Sequence, residues 1–305
     1  MRPNSKNTYT KQLLMKKYYL VITSIFLSLN AFSQTPIVID TSWKSGGLIA
    51  INYSQVNLSQ WSAGGENSMN LNSSINLYSN FLRGKNDWQN TLDLGYAFLQ
   101  TATGGVRKSD DRIEFTSKYG KKFSKNWLYS ALINFKSQFA PGYLYPNDST
   151  IISNFMAPGF LTASIGFTYK PVDYFEVLIS PAAGKFTFVN SKSLSDIGAF
   201  GVDSGKMVRV EFGAYLNMKF KKDLMTNVTL TSKLELFKNY IDKDKHNDKQ
   251  IDVNFNNTLD LKVNKYITAS VNIQVIYDAN IIERTQFKEL IGVGFGYKFE
   301  KNKLQ

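Results

Sequence analysis

The chain has 305 residues, of which 20% are charged and 14% aromatic; it contains no cysteine, and its one histidine is His246. A chain this rich in aromatic residues can bury enough apolar surface to fold, which excludes a disordered protein. The lack of cysteine excludes a disulfide scaffold and any cysteine-based metal or redox site. The formal net charge is +12. Which binding partners this charge favours depends on how the basic residues are distributed along the chain.

The first 33 residues have the three parts of a secretory signal peptide. Two lysines precede the short apolar core Tyr18–Leu29, and Ala31-Phe32-Ser33 follows it with small residues at its first and last positions. We expect Met15 to be the true start and cleavage to follow Ser33. The alternative is an uncleaved anchor, although the apolar core is shorter than the ~20 residues that cross a bilayer.

Cleavage would remove five basic residues and no acidic one, which leaves 31 basic and 24 acidic residues and a net charge of +7. This charge is spread along the chain without any block of five like charges, so the sequence predicts no nucleic-acid partner. After residue 34 no apolar stretch reaches the length of a spanning helix. A membrane role would therefore have to use strands.

Apolar and polar residues alternate along most of the mature chain with the period of a β-strand. The clearest examples are Val208–Phe220, Ile251–Val263 and Ile267–Tyr277. These stretches exceed usual globular strands and reach the ~9–11 residues of a tilted membrane strand. The twelve predicted segments are 46–54, 67–82, 87–99, 110–123, 126–139, 158–170, 173–184, 206–221, 225–238, 250–263, 266–278 and 286–299.

Short and long connections alternate strictly between these segments. The short ones are Arg83–Asn86, Ser124-Lys125, Pro171-Val172, Lys222–Leu224 and Asn264-Lys265. Transmembrane barrels have short periplasmic turns at one end and longer extracellular loops at the other. We predict an all-β fold, an antiparallel up-and-down transmembrane barrel of about 12 strands over residues 46–299. A periplasmic segment, 34–45, would precede it and a tail, 300–305, would follow.

Aromatic residues near the segment ends supply a further signal, because interfacial girdles of membrane barrels lie there. They are Trp88, Tyr96, Phe98, Tyr119, Phe123, Trp127, Phe139, Tyr169, Phe220, Tyr277, Tyr297 and Phe299. The alternative is a soluble sandwich with an aromatic core. The final stretch Gly294–Phe299 resembles the terminal strand signal that the outer-membrane barrel-assembly machinery reads. We therefore expect an outer-membrane location, with lipid, lipopolysaccharide and that machinery as partners.

Several local stretches are distinctive. They are Trp43 with Gly46-Gly47, Leu58–Ser68, Ser117–Gly120, Ile152–Phe160, Ser180-Pro181, Tyr277-Asp278 and Tyr297–Phe299. On these stretches the chain resembles an uncharacterised family of outer-membrane β-barrel proteins from Bacteroidota, known as a domain of unknown function. The resemblance extends over nearly the whole mature chain. It implies an outer-membrane barrel and no particular activity.

Enzyme chemistry has little support in the sequence. His246 lies in the mixed-charge stretch 242–249, and no HExxH, GxSxG or P-loop motif is present. Asp242, Asp244 and Asp248 alternate with that histidine and would suit a divalent cation, but interleaved lysines neutralise them and favour a solvated loop. We expect no enzyme, no cofactor and no metal, and keep a lipid-active enzyme as a remote third hypothesis.

The polar faces of the strands would point into the lumen of a barrel. Their charged residues are Asp93, Glu114, Lys118, Lys122, Lys136, Arg209, Glu211, Lys219, Lys233, Glu235, Asp252, Asp260, Lys262 and Asp278. In the first hypothesis these mixed charges line a passive channel for small solutes. In the second they pair and close the barrel, which would serve envelope structure, adhesion or partner docking through its loops. A barrel of eight strands is filled by side chains and one of sixteen is open, so twelve strands are compatible with both hypotheses.

Two loops are candidate functional surfaces. Trp61 lies beside Gly64 and Gly65, so this loop would fold inward and constrict the lumen, or form a tight turn over the first two strands. The stretches Ala140–Pro146 and Phe155–Pro158 are apolar for exposed loops. Exposed apolar clusters often mark contacts, here with lipopolysaccharide, a hydrophobic ligand or a partner.

Overall fold

A computed structural model of the chain describes residues 42–58, 66–241 and 250–301. The predicted signal peptide and the loop that contains Trp61, Gly64 and Gly65 lie outside the described residues. The same holds for the His246 loop and its aspartates.

Within the described ranges, twelve strands form a closed antiparallel barrel. We number them β1 to β12 in chain order. They are β1 Trp43–Val56, β2 Ser68–Arg83, β3 Asn86–Thr101, β4 Gly105–Lys122, β5 Trp127–Ser137, β6 Gly159–Val172, β7 Phe175–Phe188, β8 Val208–Met225, β9 Val228–Asn239, β10 Asp252–Lys262, β11 Ile267–Asp278 and β12 Ile282–Lys301. Each strand pairs with the next, and β12 pairs with β1. The predicted antiparallel 12-stranded barrel is confirmed.

Alternation along each strand separates the two faces of the barrel wall, because successive side chains point to opposite sides. In β5, Tyr129 and Ile133 are exposed on the outer face, while Ser130, Leu132 and Asn134 are buried on the inner face. The short connections lie together at one end of the barrel, which we call the turn end. The long connections lie at the other end, which we call the loop end.

The structure differs from the predicted segments at both ends of the barrel. At the turn end β8 continues to Met225 and β9 begins at Val228, so the predicted connection Lys222–Leu224 is wrong: these residues are strand. At the loop end β4 begins at Gly105 rather than residue 110, because the β3–β4 hairpin stays paired out to Thr101 and Gly105. β12 begins at Ile282 rather than residue 286. The hairpins continue beyond the residues in which apolar and polar side chains alternate regularly. The sequence therefore predicted loop at their outer ends.

Two long connections have a structure of their own. The connection after β5 contains a small antiparallel ribbon, Gly142–Tyr143 with Ile151–Ser153. The connection after β7 contains the helix Lys192–Asp196 and the 3-10 turn Ala199–Gly201. Such short elements have too few residues to show a period in the sequence. No helix among the described residues combines the length and apolar character needed to cross a membrane.

A buried apolar cluster joins these two connections. It consists of Ala157, Val189, Leu194 and Val202, with Phe200 packed against it. The side chains of Ala157 and Val189 are fully buried. The connection after β7, residues 189–207, is therefore a folded cap with its own small core.

The outer wall of the barrel is apolar and exposed. Ile165 and Phe295, on opposite sides of the ring, are each 71% exposed, and Ile51 is 50% exposed. An apolar surface that extends around the whole wall is far larger than the patches that soluble monomers expose.

Aromatic rings cluster on this wall at the turn end. The ring centre of Trp43 lies 5.2 Å from that of Phe81 and 5.8 Å from that of Trp88. Trp127 and Tyr169 on β5 and β6 form another close pair at 4.8 Å. These contacts place an aromatic band along one rim of the apolar wall, from β1 to β6.

Candidate functional site

The lumen contains charged side chains at three levels. At the loop-end level, Lys185 of β7 lies 2.7 Å from the carboxylates of both Asp252 on β10 and Asp278 on β11. Its ammonium is also 3.8 Å from Glu211 of β8, to which Arg209 donates a hydrogen bond of 3.0 Å. All five side chains are less than 20% exposed. One lysine thus gathers three carboxylates from three different strands.

The middle level spans the whole width of the barrel. Lys233 of β9 and Asp93 of β3 lie on strands that are opposite in the ring of twelve, yet Nζ and Oδ2 are 3.5 Å apart. Lys136 of β5 forms an ion pair with Glu235 of β9 and lies 3.8 Å from Glu114. Ion pairs therefore cross the lumen at mid-height.

At the turn-end level the pairs connect strands three positions apart. Lys118 of β4 lies 2.6 Å from Glu176 of β7. Lys170 of β6 lies 3.4 Å from Asp87 of β3. Gln89 also donates a 3.3 Å hydrogen bond to Glu176. These contacts brace one side of the lumen close to the short turns.

One half of the lumen is densely packed. Leu132, Leu178, Ala183, Tyr215 and Phe237 form a buried apolar cluster, and each shares its strand face with a charged residue of the three levels. Leu132 is 2% exposed and Leu178 is 1% exposed. Strands β5 to β8, together with Phe237 of β9, thus fill their side of the barrel with side chains.

The opposite half is polar, mostly uncharged and more accessible. Along β10 and β11, Asn272 donates hydrogen bonds of 3.0 Å to Asn256 and 2.7 Å to Thr258. Gln274 donates one of 3.0 Å to Asn254. These inner side chains are only half-buried, unlike those of β5 to β8. The more accessible side chains of the lumen therefore lie off-centre, along an amide-rich wall.

The cap formed by residues 189–207 reaches across the loop end. Arg209 donates a 3.3 Å hydrogen bond to the carbonyl of Gly201. Gly201 has a φ of +75°, and a Cβ there would lie 2.6 Å from the carbonyl oxygen of Asn280, in the β11–β12 connection. Glycine is required for this approach. The cap thus lies directly over the loop-end charged level.

The apolar stretch 140–146 is anchored to the wall by polar contacts. Asp111 accepts hydrogen bonds from the backbone N–H groups of Phe139 and Ala140, at 2.7 and 2.9 Å. Tyr145 stacks with Arg107, whose guanidinium carbon lies 5.1 Å from the ring centre. Arg107, Tyr143 and Tyr145 border a cavity of about 270 Å³ at the loop end.

Most of the sequence-predicted lumen residues fall in the three levels. Arg209, Glu211, Asp252 and Asp278 come together at the loop end, as do Lys233 and Glu235 at mid-height. Lys219, Asp260 and Lys262 lie on the inner faces of β8 and β10, nearer the turn end. The six loop-end and mid-height residues thus fall into two spatial groups, whose members come from strands that are distant in sequence.

Sequence reasoning missed Lys185, the centre of the loop-end level. The predicted segment ended at residue 184, because Pro181-Ala182 interrupts the alternation. The structure shows a bulge there: Ala182 pairs with Ile165, and Ile179 with Phe167. After the bulge the alternation resumes with the opposite parity, so Lys185 points inward. The alternation of side chains that starts again at Ala183 was the signal from which the inward direction of Lys185 could have been predicted.

Among the residues that the structure describes, no group of three or more histidine or acidic side chains is arranged to hold a metal ion. At the loop-end level the ammonium of Lys185 occupies the point between the carboxylates.

Residues 53–143 match the model of a family described as protein of unknown function, DUF3078. The chain is also similar to solved barrels. One is an outer membrane channel from Pseudomonas putida F1, at 11% identity and a TM-score of 0.40, covering 88% of this chain and 98% of that one.

Two other similar structures are a porin and an enzyme. The NanC porin has 9% identity and a TM-score of 0.39, with coverage of 82% of this chain and 98% of that one. The outer membrane phospholipase dimer from Salmonella typhi, with bound calcium, has 14% identity and a TM-score of 0.40, with coverage of 88% and 93%. No curated protein matches the sequence.

Proposed function

We propose that the barrel crosses the outer membrane, with the turn end in the periplasm and the loop end outside. The exposed apolar wall supports this, because such a surface is stable only against lipid. The aromatic band at the turn end supports an interface there. As part of the same proposal, lipid covers the wall and lipopolysaccharide contacts the loops. In this proposal the barrel-assembly machinery recognises β12, and the chain belongs to the Bacteroidota family that its motifs resemble.

Tryptophan fluorescence tests this placement. In a Trp61→Phe variant the remaining tryptophans are Trp43, Trp88 and Trp127, all at the turn-end rim. We expect phospholipids brominated near the headgroup to quench them more than phospholipids brominated at the chain ends, since aromatic girdles lie at the interface. If neither brominated lipid quenches the tryptophan fluorescence, the wall is not embedded in the bilayer and the proposal is wrong.

We further propose that the protein is a passive, non-enzymatic channel for small polar solutes. The observation that carries this is the contrast between the two halves of the lumen. Inner side chains of β5 to β8 are buried, whereas Asn76 on β2 is exposed although it contacts Asp93 inside the barrel. Lys233, which crosses the lumen, is 37% exposed. Water therefore has room beside the amide-rich wall, and hydrogen-bonding amides suit polar, uncharged solutes.

Single-channel conductance of residues 34–305 in planar bilayers tests the channel. The informative variant is Lys233→Ala, which removes the side chain that crosses the open part of the lumen. We expect larger current steps and a shift towards cation selectivity, because Asp93 loses its partner. The matched control is Lys125→Ala, an exposed lysine in the turn between β4 and β5, which should leave the step size near that of the parent.

A closed barrel that serves as a platform for its loops is the second candidate. The observation that favours it is the Lys233–Asp93 pair, which joins opposite walls. This candidate predicts a silent bilayer for the parent, with insertion verified by heat-modifiable gel mobility. Reproducible current steps from the parent would reject it.

A further inference from the structure

The seam between β1 and β12 is paired over only part of its length. The ladder runs from Ser45 and Lys301 to Asn52 and Gly294, which is eight residue pairs. Every other neighbouring pair of barrel strands has ten or more. The shortest ladder is thus where the barrel closes.

Both strands continue towards the loop end beyond this point. β1 stays paired with β2 as far as Val56, and β12 stays paired with β11 as far as Ile282. Among the described residues, Tyr53–Val56 and Ile282–Val293 have no ladder to each other. The two strands therefore separate in the loop-end half of the wall, where each leaves an unpaired edge that faces the other.

Facing edges are unusual within a membrane wall. Backbone groups that lack partners are costly in hydrocarbon, so spanning barrels normally close completely. A gap is tolerated where the backbone borders a water-containing cavity rather than lipid alone. The gap in this barrel adjoins the accessible half of the lumen, because β10 to β12 and β1 to β3 form that half.

The gap begins directly above a close contact between the two strands. Gly292 and Gly294 on β12 carry no side chain, and the side chain of Asn52 on β1 fills the space beside both of them. Leu290 pairs with the lumen-facing Asn272 and therefore points inward, whereas Ile291 and Val293 are exposed on the outer face. Apolar side chains thus border the gap both inside and outside.

A charged residue on the outer row of β12 supports access of water to the gap. Glu289 lies between Phe287 and Ile291 and is exposed. It pairs with Ile273 on the outer face of β11. A carboxylate in this row is costly against acyl chains alone, but not at the edge of an opening that connects to the polar lumen.

We propose that the barrel has a lateral portal between β1 and β12, in its loop-end half, through which small amphipathic molecules pass between the lumen and the outer leaflet. Leu290, Ile291 and Val293 would contact the apolar part of such a molecule. The polar part would meet Glu289 and, inside the lumen, Lys288, which is 37% exposed and pairs with Asp110. The portal rests on the proposed membrane location and not on axial conduction.

Disulfide trapping tests the divergence of the strands, and the natural chain contributes no cysteine of its own. The test pair is Tyr53→Cys with Val293→Cys, which would face each other if the ladder continued. The matched control is Ile49→Cys with Tyr297→Cys, four positions lower in the existing ladder and on the same face. We expect the control to oxidise readily, since facing Cβ atoms lie ~5 Å apart, and the test pair to be joined only by a longer bis-maleimide.

Labelling from the lipid phase tests passage. In liposomes that contain lipid-dissolved pyrene maleimide, Leu290→Cys at the gap should react at least ~10-fold faster than Leu48→Cys, an inward residue of the closed part of β1. Equal labelling rates, or rapid disulfide formation by the test pair, would overturn the portal. So would cross-linking of Tyr53→Cys between two copies, because a second chain would then cover the edge. Failure of brominated-lipid quenching would instead reject the membrane location.

Discussion

Replacement of Lys185 by methionine is expected to reduce the stability of the barrel by about 3–5 kcal/mol, the usual cost of removing one member of a buried ion pair. Lys185 lies between the carboxylates of Asp252, Asp278 and Glu211. Without its ammonium these groups repel one another in a poorly solvated space. The measurement is the midpoint of unfolding in urea, followed by heat-modifiable gel mobility.

Two further variants separate charge from general damage. Lys206→Met changes an exposed lysine in the neighbouring cap and should leave the midpoint unchanged. The triple variant Lys185→Met, Asp252→Asn, Asp278→Asn removes most of the repulsion and should recover a large part of the loss. If Lys185→Met unfolds at the same urea concentration as Lys206→Met, the loop-end level does not stabilise the barrel.

Gly213→Ala is expected to prevent normal assembly of the barrel, or to destabilise it by more than about 3 kcal/mol. Gly213 lies on the inner face of β8 where the pairing with β7 shifts register. A Cβ at this position would overlap the backbone carbonyl of Lys238 on β9. A backbone atom cannot move aside without loss of the β8–β9 ladder. Yield of the heat-modifiable folded form after refolding measures the effect.

Gly95→Ala is the matched control for this substitution. Gly95 also lies on the inner face of a strand, β3, but a Cβ there would be 3.4 Å from its nearest neighbour, the carboxylate of Asp110. That is an ordinary van der Waals contact, so folding should be unaffected. Equal yields for the two variants would show that β8 and β9 can separate without cost.

Local patterns in the sequence were sufficient for the architecture. Alternation within stretches such as Ile251–Val263 identifies strands and their inner faces, because side-chain direction in a strand depends only on position along it. The alternation of short and long connections identifies a barrel with two different ends. Both signals are local, which is why the twelve strands could be predicted from the residues alone.

Contacts inside the lumen could not be read from the same patterns. Lys233 and Asp93 are 140 residues apart, and their contact depends on strand number, tilt and register together. The bulge at Pro181-Ala182 changes which face Lys185 occupies. A bulge that shifts parity by one residue is invisible to a simple alternation count.

The sequence by itself therefore determined the strand content, the order of the strands, the sorting of turns and loops, and the mixed charge of the inner face. Only the tertiary structure decided which charges pair, that β5 to β8 fill their half of the lumen, and that the ladder between β1 and β12 stops at Asn52 and Gly294. The physical reason is that strand formation depends on neighbours in the chain. Lumen packing and closure depend instead on curvature accumulated around all twelve strands.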